Sequence, residues 1–357
     1  MRKILFITSP KIKGMTGGTI CSERNLHALK EVFGKDCVDV YVFKSYEGNY
    51  FKSSLLYYFN VIKGLLSGLT SDILCSIDEE VRFKGYTDIF IDTSKYGIIA
   101  KVLKNKYPNL KVHTFFHNIE YVFTKSSIKV NKMRYKLILN AIRYNENCAC
   151  AYSDTIICLN KRDSLLLAKH YHRNADLLIP ITIKDNYSYD VKLKFNEKRK
   201  GLFLGSYFFG NIDGLIWFCK EVMPLLDIEL SIVGTNMDKL HGDLTINDRI
   251  HIFSNVLDLK PFFEDADFMV FPIISGGGMK VKTAEALMYG KYIIGSTESL
   301  IGYDVDNNVA CVCESKEDYV NAVRDLEIKY KFNHSSRALY LEKYSYPASI
   351  SQFYKLL

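Results

Sequence analysis

The sequence predicts an α/β protein built from two successive doubly wound domains. Three observations support this prediction. The chain has 357 residues, which is too long for one ordinary core and suits two domains. Short apolar runs alternate with longer helical stretches, a pattern typical of βα units around a parallel sheet. The alternation stops at a polar segment, residues 182–200, and resumes after it.

The predicted elements follow in chain order. In the first half the predicted strands are Lys3–Thr8, Cys37–Phe43, Thr87–Asp92, Val112–Phe116 and Thr155–Leu159, with a helix over Thr16–Phe33. In the second half they are 202–206, Glu229–Val233, Phe268–Ile274 and Tyr292–Gly295, with helices over Asp213–Leu225 and Val281–Tyr289.

These elements define the expected domains. They are a first domain over residues 1–180, a linker over 181–200, a second domain over 201–334, and a C-terminal helix over 335–357 that can cross back to the first domain. Ligands of doubly wound sheets bind at the carboxyl ends of the strands. The expected site is therefore the cleft between the two domains.

Composition narrows the class of protein. Hydrophobic residues make up 48% and charged residues 24% of the chain, a normal globular balance. No apolar run approaches the roughly 18 residues that can span a membrane. The nine cysteines lack the spacing of a zinc site. We expect reduced thiols in a cytoplasmic protein without a metal.

The net charge of +7 is unevenly distributed. Residues 1–180 hold 27 Lys and Arg against 16 Asp and Glu, a balance of +11, whereas the remainder has a balance of −4. A basic half favours an anionic partner such as a phosphate or an acidic membrane surface. Nucleic acid is not an expected partner, because RNA-binding signatures and a dense basic block are both missing.

A glycine run separates a predicted strand from a predicted helix in the second half. The stretch reads PIISGGGMKVKTAEALMYG, with Gly276, Gly277 and Gly278 at its centre. Glycine lets the backbone approach a ligand closely, and a helix N-terminus attracts anions. Lys280 and Lys282 add positive charge at the same end. The pattern predicts a phosphate site, and the alternative is a flexible loop with solvated lysines.

Glu285 lies one turn into that helix. Phosphate repels a carboxylate, so the expected role of Glu285 is to accept hydrogen bonds from hydroxyl groups, such as those of a ribose. The alternative is a surface glutamate that is favoured near a helix N-terminus.

A second glycine-containing loop follows the first predicted strand. It contains Gly14, Gly17 and Gly18, whose spacing matches neither the dinucleotide fingerprint G-x-G-x-x-G nor a Walker A motif. We expect this loop to approach the same ligand with its backbone.

Several stretches together resemble the retaining GT-B glycosyltransferases of family four, the group 1 type. The most specific is PIISGGGMKVKTAEALMYGKYIIGSTESLIGYD, which is similar to the donor-site motif of that family. FLGSYFFGNIDGLIWFCKEVMPLL resembles its first C-domain strand and helix, and FFHNIEYVF its histidine-containing segment. The resemblance covers nearly the whole chain. It implies a GT-B fold, with two Rossmann-like domains facing a cleft, and a sugar transfer that retains the anomeric configuration.

The resemblance also implies roles for individual residues. The expected donor-binding residues are Gly17, Gly18, Gly205, Ser206, Gly276, Gly277, Gly278, Met279, Lys280, Lys282 and Glu285. Glu285 corresponds to the ribose-binding glutamate, and the two lysines face the diphosphate. His117 and Lys280 are the expected catalytic residues, with His117 close to the donor sugar. A packed histidine is the alternative for His117, and Glu120 is either an acceptor contact or a surface residue.

The sequence departs from the family pattern at two points. Gly277 stands where many members carry the first glutamate of an E-x₇-E pair, and residues 206–213 lack the usual basic pair. We expect backbone N–H groups of Gly277–Met279 and the two lysines to replace them.

The implied chemistry is stabilisation of negative charge on a departing diphosphate by N–H groups, a helix dipole and ammonium groups. It needs no cofactor, and Asp304 and Asp306 lie in a polar turn that we do not expect to bind metal. The donor would be UDP- or GDP-linked, and the acceptor a glycan or a lipid-linked molecule. Phe51–Leu69 is either a core helix or a surface helix on the cytoplasmic face of a membrane.

The expected function is glycosyl transfer in the synthesis of bacterial surface polysaccharide or glycoconjugates. The alternative is a non-catalytic nucleotide-sugar-binding or scaffold protein that keeps the fold, which the missing glutamate allows. An NAD-dependent oxidoreductase is disfavoured, because the fingerprint and its ribose-binding acid are absent.

Overall fold

The computed structural model describes residues 2–9, 17–43, 55–127, 133–187, 198–242, 248–326 and 332–356. The chain divides into two compact units. The first contains Met1–Pro180 and Ser349–Leu357, and the second contains Ile181–Ala348.

The first unit is built on a parallel sheet of six strands in the order β2-β1-β3-β4-β5-β6. The strands are β1 Ile4–Thr8, β2 Val38–Val42, β3 Asp88–Ile91, β4 Lys111–Phe116, β5 Thr155–Cys158 and β6 Leu177–Leu178. The helices are α1 Gly17–Phe33, α2 Leu55–Ile62, α3 Ser71–Lys84, α4 Gly97–Lys106, α5 Glu120–Ser127, α6 Met133–Tyr152 and α7 Lys161–Tyr171. Helices cover both faces of such a sheet, which explains why the central strand β3 is buried at every position and apolar at every position after Asp88.

The second unit is also built on a parallel sheet of six strands, in the order β12-β11-β10-β7-β8-β9. The strands are β7 Arg199–Leu204, β8 Ile228–Gly234, β9 Ile250–Ser254, β10 Phe268–Phe271, β11 Tyr292–Gly295 and β12 Ala310–Val312. The helices are α8 Phe209–Trp217, α9 Lys260–Asp265, α10 Val281–Met288, α11 Thr297–Leu300, α12 Lys316–Arg324, α13 His334–Leu339 and α14 Tyr346–Phe353. The predicted α/β class with two doubly wound sheets is confirmed.

Two predicted elements differ from the structure because of prolines. The helix predicted over Asp213–Leu225 is α8 followed by a π-helical turn, Phe218–Val222, and a 3₁₀ turn, Met223–Leu225. Pro224 lacks an N–H group and cannot continue a regular α-helix. The strand predicted over Phe268–Ile274 ends at Phe271, directly before Pro272, since proline cannot donate a hydrogen bond to the sheet.

The segment predicted as a linker has described residues on both sides of a gap. Residues 181–183 are buried in the second unit, and Ile183 forms a β-bridge with Ser345. At the other end, Arg199 and Lys200 already belong to β7. Residues 188–197 lie outside the described residues.

The C-terminal segment consists of several short helical pieces. A π-helical turn, Tyr340–Tyr344, separates α13 from α14. Residues from Ser349 onward belong to the first unit, where Phe353 is fully buried and its ring centroid lies 6.2 Å from that of Phe90.

Among the described residues, no helix is both long enough and apolar enough to cross a membrane. The first part of the stretch Phe51–Leu69, residues 51–54, lies outside those residues.

Candidate functional site

In the first unit, polar side chains gather at the carboxyl edge of the sheet. Asp92 directly follows β3 and is 1% exposed. Its carboxylate accepts hydrogen bonds from Nδ2 of Asn25 at 2.9 Å and from Oγ1 of Thr8 at 3.1 Å. Nε2 of His117, which follows β4, lies 2.6 Å from the backbone oxygen of Asp92. Three strand ends and α1 therefore position His117.

The charges around His117 favour its protonated form. Burial alone would lower the pKa of the imidazole, but Cys21 and the Asp92 carboxylate raise the pKa of His117 to about 9. Burial raises the pKa of Asp92 above its usual value, and His117 opposes that shift. At neutral pH, His117 is thus an imidazolium that can donate a hydrogen bond or stabilise an anion.

The N-terminal loop is described only at its end. Residues 10–16, including Gly14, lie outside the described residues. Gly17 and Gly18 form the exposed first turn of α1, and Oγ of Ser22 donates to the backbone oxygen of Gly18 at 3.0 Å. The N-terminal end of α1 is thus accessible at these two glycines, as close backbone approach by a ligand requires.

Glu120, the first residue of α5, is buried and ion-paired. It is 5% exposed, and its Oε2 lies 3.0 Å from Nζ of Lys95. The backbone amide of Glu120 donates to Oε1 of Glu146 at 2.7 Å, and the backbone amide of Tyr121 donates to Oε2 of Glu146 at 3.1 Å. The carboxylate of Glu146 therefore caps the N-terminus of α5, to which the His117 loop leads.

Glu146 is a residue that the sequence did not single out. It is fully buried in the middle of α6 and also accepts hydrogen bonds from the hydroxyls of Tyr171 at 2.6 Å and Ser94 at 3.2 Å. A glutamate within the apolar pattern of a helix could have indicated a buried carboxylate. Its role could not be predicted, because its hydrogen-bond partners come from three separate segments of the chain.

We expect Glu146→Gln to remove a pH dependence of stability. Burial raises the pKa of Glu146 to about 7 from the usual 4.5. Between these pH values the folded protein holds a proton that the unfolded chain has released. The free energy of unfolding of the wild type should therefore fall as the pH rises through this window. Glutamine does not titrate, so urea denaturation of the variant should lack this fall.

Glutamine also offers one acceptor oxygen in place of two, which should destabilise the variant at every pH by about 1–3 kcal/mol. Glu79→Gln, at an exposed position of α3, is the matched control and should behave as the wild type. An unchanged pH dependence in Glu146→Gln would contradict the assignment.

In the second unit, the glycine run connects β10 to α10. Gly278 adopts a left-handed conformation with φ +58°, which glycine tolerates without the strain of a side chain. Lys280 is the N-cap of α10, and no side chain caps this helix end. The loop thus presents backbone to solvent or a ligand at a helix N-terminus, as a phosphate site requires.

Lys280 is neutralised within the protein. Its Nζ lies 2.7 Å from Oε1 of Glu298 and 3.4 Å from the backbone oxygen of Gly278. Glu298 lies in α11, after the next strand, and no local pattern predicts this pairing. The ammonium of Lys280 therefore stabilises the loop.

Lys282 lies in a tight and largely apolar environment. Its Nζ donates to Oδ1 of Asn211 at 2.7 Å and lies 4.7 Å from the ring centroid of Phe203. A Cβ atom at Gly205 would come within 3.0 Å of this Nζ, so glycine leaves room for the ammonium. Burial, and next the charge of Lys280, lower the pKa of Lys282 to about 7.

Glu285 lies near Lys282 without a close partner. Burial raises the pKa of Glu285 to about 7, and the charge of Lys282 opposes that shift. Within the described part of the chain, the Glu285 carboxylate makes no hydrogen bond and no ion pair closer than 4 Å. A partly exposed carboxylate of this kind is available to accept hydrogen bonds from a ligand.

The remaining predicted residues of the second unit lie around the same strand ends. Nδ2 of Asn211 donates to the backbone oxygen of Ser206 at 2.9 Å, so one amide joins Ser206 to Lys282. Met279 is 6% exposed, and its sulfur accepts a hydrogen bond from the amide of Ile181 at 3.4 Å. Only the backbone of Met279 is therefore suited to a ligand.

The described residues contain no cluster of three or more His, Cys, Asp or Glu side chains arranged to hold a metal ion. In the polar turn, the Asp304 carboxylate pairs with Nζ of Lys343 at 2.9 Å, and Asp306 accepts hydrogen bonds from Asn308.

The sequence of the second unit matches a known family. Residues 198–327 match the family model described as glycosyl transferases group 1. The matched segment contains all the predicted donor-binding residues of this unit, from Gly205 to Glu285. No curated protein sequence matches the chain.

Solved glycosyltransferase structures are similar over the whole chain. Sucrose-phosphate synthase from Thermosynechococcus elongatus is 13% identical, with 100% of this chain and 98% of that chain covered and a TM-score of 0.71. The lipopolysaccharide outer core galactosyltransferase WaaB is 12% identical over 98% of each chain, with a TM-score of 0.67. HepE of Anabaena, in complex with UDP-glucose, is 12% identical over 100% of this chain and 99% of that chain, with a TM-score of 0.67. These similarities confirm the GT-B fold, and the group 1 domain indicates a glycosyltransferase.

Proposed function

We propose that this glycosyltransferase moves a sugar from a nucleoside diphosphate sugar to a glycan or lipid-linked acceptor. We further propose that the reaction retains the anomeric configuration, needs no metal, and serves the synthesis of bacterial surface polysaccharide or glycoconjugates. The arrangement of Lys282 and Glu285 on the first turns of α10 carries the proposal.

Charge complementarity supports a diphosphate beside Lys282. Without a ligand, burial lowers the pKa of this amine to about 7, so the empty site holds a positive charge poorly. A diphosphate would raise that pKa again, because an anion favours the ammonium form. Binding of an anion would therefore offset the free-energy cost of burying the Lys282 ammonium. The ammonium would then stabilise the negative charge on the departing diphosphate.

The pairing of Lys280 with Glu298 also fits this assignment. Two uncompensated lysines beside a helix N-terminus would repel each other and the dipole. Neutralising Lys280 leaves about one positive charge, that of Lys282, together with N–H groups for the diphosphate. The backbone of Gly277–Met279 takes the place of the missing glutamate in this proposal.

Glu285 suits the hydroxyl groups of a ribose. Its carboxylate is partly buried, close to Lys282, and without a hydrogen bond among the described residues. A ribose diol offers two donors to one carboxylate, so a bidentate hydrogen bond would satisfy both oxygens. UDP and GDP carry the same ribose, and we propose one of them as the nucleotide.

In the first unit, we propose that His117 acts on the donor sugar as an imidazolium and that Glu120 contributes to the acceptor side. The ion pair of Glu120 with Lys95 at 3.0 Å fixes the position of this carboxylate. Gly17 and Gly18 would approach the phosphates with their backbone.

A lipid-linked acceptor would bring the protein to the cytoplasmic face of a membrane. The helix α2 supports this part of the proposal, because Phe59 and Ile62 are 54% and 68% exposed. Nζ of Lys63 lies 4.2 Å from the ring centroid of Phe59. Apolar side chains beside a lysine suit an anionic lipid surface.

A thermal-shift panel tests the proposal. UDP, GDP, CDP, ADP and NAD would each be added to the wild type and to Glu285→Ala, with Glu317→Ala at an exposed position of α12 as the control. A ligand at a hundred times its dissociation constant should add about 2.7 kcal/mol of stability. We expect one nucleoside diphosphate to stabilise the wild type and the control, and Glu285→Ala to lose that shift.

Turnover of sugars on the stabilising nucleotide then separates an enzyme from the alternative, a nucleotide-sugar-binding scaffold. Binding without turnover of any donor, with lipid and glycan acceptors present, would favour the scaffold. A shift with NAD alone, or with none of the diphosphates, would refute the donor site.

A further inference from the structure

The helix α1 places a cysteine and an arginine one turn apart on its buried face. Arg24 is fully buried and Cys21 is 1% exposed. One terminal nitrogen of Arg24 donates to the backbone oxygen of Pro180 at 2.8 Å, and the other lies 3.2 Å from Sγ of Cys21. The guanidinium also lies over the ring of Phe115, 5.6 Å from its centroid.

This guanidinium has no carboxylate partner within ion-pair distance among the described residues. An arginine side chain stays protonated in proteins, so Arg24 carries its charge inside the unit. A buried charge without a counter-charge is strongly destabilising. Of the groups that contact the guanidinium, the thiol of Cys21 is the one that can become an anion.

The same thiol also lies beside the imidazole of His117. Nε2 of His117 lies 2.6 Å from the backbone oxygen and 3.8 Å from the carboxylate of Asp92. His117 therefore has two acidic groups as neighbours, the thiol of Cys21 and the carboxyl of Asp92.

The charged and titratable groups around the imidazole come from three elements. Cys21 and Arg24 come from α1, Asp92 comes from the end of β3, and Tyr96 lies close to Asp92 from the turn before α4. From β4 the imidazole meets the ring of Phe115, whose centroid is 5.1 Å away. Two cations and two acids thus share one buried cluster, which is electrically balanced if both acids are ionised.

We propose that Cys21 is a positioning residue for the sugar transfer: a buried thiolate, paired with Arg24, that keeps His117 in the imidazolium form. This proposal rests on the proposed function, in which His117 acts on the donor sugar. As an imidazolium, His117 donates hydrogen bonds and carries a fixed positive charge. It therefore cannot be the base that deprotonates the acceptor.

The direction of the cysteine titration agrees with this geometry. Burial would raise the pKa of Cys21, but Arg24 and His117 outweigh it and lower the pKa below the usual value. Cys158 shows the opposite behaviour, because burial next to acidic groups raises its pKa well above the usual value. Of the six cysteines whose pKa is shifted, Cys21 is the one whose pKa is lowered.

Thiolate absorbance near 240 nm tests the first half of the proposal without any turnover. At pH 7, we expect the native wild type to show an absorbance near 240 nm equal to that of one thiolate per chain. This absorbance should be lost on denaturation and should be missing in Cys21→Ser. Cys75→Ser, at an exposed position of α3, should keep the band. If native protein and denatured chain absorb alike at pH 7, and a thiolate appears only above about pH 9, the proposal is wrong. The comparison of native and denatured wild type needs no variant, so it stands even if Cys21→Ser fails to fold.

Histidine NMR tests the second half. The His117 resonance, assigned through its loss in His117→Gln, should titrate near the value of about 9 in the wild type, and the pKa should fall by at least one unit in Cys21→Ser. An unchanged titration in Cys21→Ser would show that Cys21 does not set the charge of His117.

The pH profile of sugar transfer connects the cluster to the reaction. At saturating donor, where Lys282 stays charged, we expect the alkaline limb of kcat to move down by at least one pH unit in Cys21→Ser, so that kcat at pH 8 falls about two-fold or more relative to pH 6. Cys21→Asp restores an anion and should move the limb back. An equal loss at every pH would indicate a merely structural role. An absence of transfer in the wild type, with the thiolate band present, would instead refute the proposed function alone.

Discussion

Replacing Lys282 with methionine is expected to lower kcat for sugar transfer by about 10²–10³-fold, the loss typical of removing one preformed group that stabilises a developing negative charge. Methionine keeps the apolar stem over the ring of Phe203 and removes the charge. Steady-state kinetics with the nucleotide sugar identified by thermal shift would measure the change. Lys316→Met, at the start of α12 and far along the chain from the glycine run, is the matched control and should retain activity.

The same substitution should not destabilise the protein, which separates a lost charge from a damaged fold. Burial lowers the pKa of Lys282 to about 7 from the usual 10.5, so the unfolded chain binds a proton between these values that the folded protein has released. The wild type therefore becomes more stable as the pH rises through this window. The free energy of unfolding of Lys282→Met should equal or exceed that of the wild type below pH 7, where the buried amine is charged.

The pH profile supplies a further check on Lys282. In the free enzyme, kcat/KM should decline as the pH rises through about 7, where the amine loses its proton. Saturation with the donor should shift the decline in kcat to higher pH, since the diphosphate favours the ammonium. Full activity of Lys282→Met, or a profile that is identical in the variant, would rule out this lysine as the group that stabilises the leaving diphosphate.

Replacing Gly234 with alanine is expected to have the largest effect on stability. Gly234 ends β8 with φ +155°, and a Cβ atom there would lie 1.5 Å from the backbone oxygen of Gly205. The neighbouring chain would have to move, because the clash is with backbone and not with the end of a flexible side chain. Overpacking of about 1–3 kcal/mol and strain at a positive φ of about 1–2 kcal/mol together predict a loss near 3 kcal/mol.

Gly242→Ala is the control for this substitution. It lies in the same unit, has no atom of a described residue within 4 Å of the added Cβ, and lacks a positive φ. Urea denaturation should show a change of no more than about 0.5 kcal/mol for the control. Similar small changes in both variants would mean that the chains at Gly205 and Gly234 are not held together as described. Because Gly205 borders Lys282, Gly234→Ala should also weaken the nucleotide-induced thermal shift.

The elements of the fold could be predicted because their signals are local. Short apolar runs bounded by polar residues gave β11 with its observed bounds, Tyr292–Gly295. The edge strands β9 and β12 were missed, since half-exposed strands lack the continuous apolar run of a central strand. Periodicity alone predicted that one helix and one strand extend past a proline. In the structure α8 ends before Pro224 and β10 ends before Pro272.

The candidate site was predictable only in part. The glycine run, Lys282 and Glu285 lie within one stretch, so their spacing could be interpreted directly. The pairing of Lys280 with Glu298 spans 18 residues, and His117 meets Asp92 across 25. Such contacts depend on which strands are neighbours in the sheet. Local hydrophobic periodicity predicts the strands but not their order in the sheet.

The return of the chain end to the first unit bears on how the protein is made. The ribosome releases residues 1–180 long before Ser349–Leu357, yet Phe353 is fully buried in the first unit beside Phe90 and Arg24. Until Ser349–Leu357 has been synthesised, the core of the nascent first unit lacks the ring of Phe353, next to a buried arginine. The N-terminal unit therefore cannot complete its core before the second unit has been synthesised, although it emerges first.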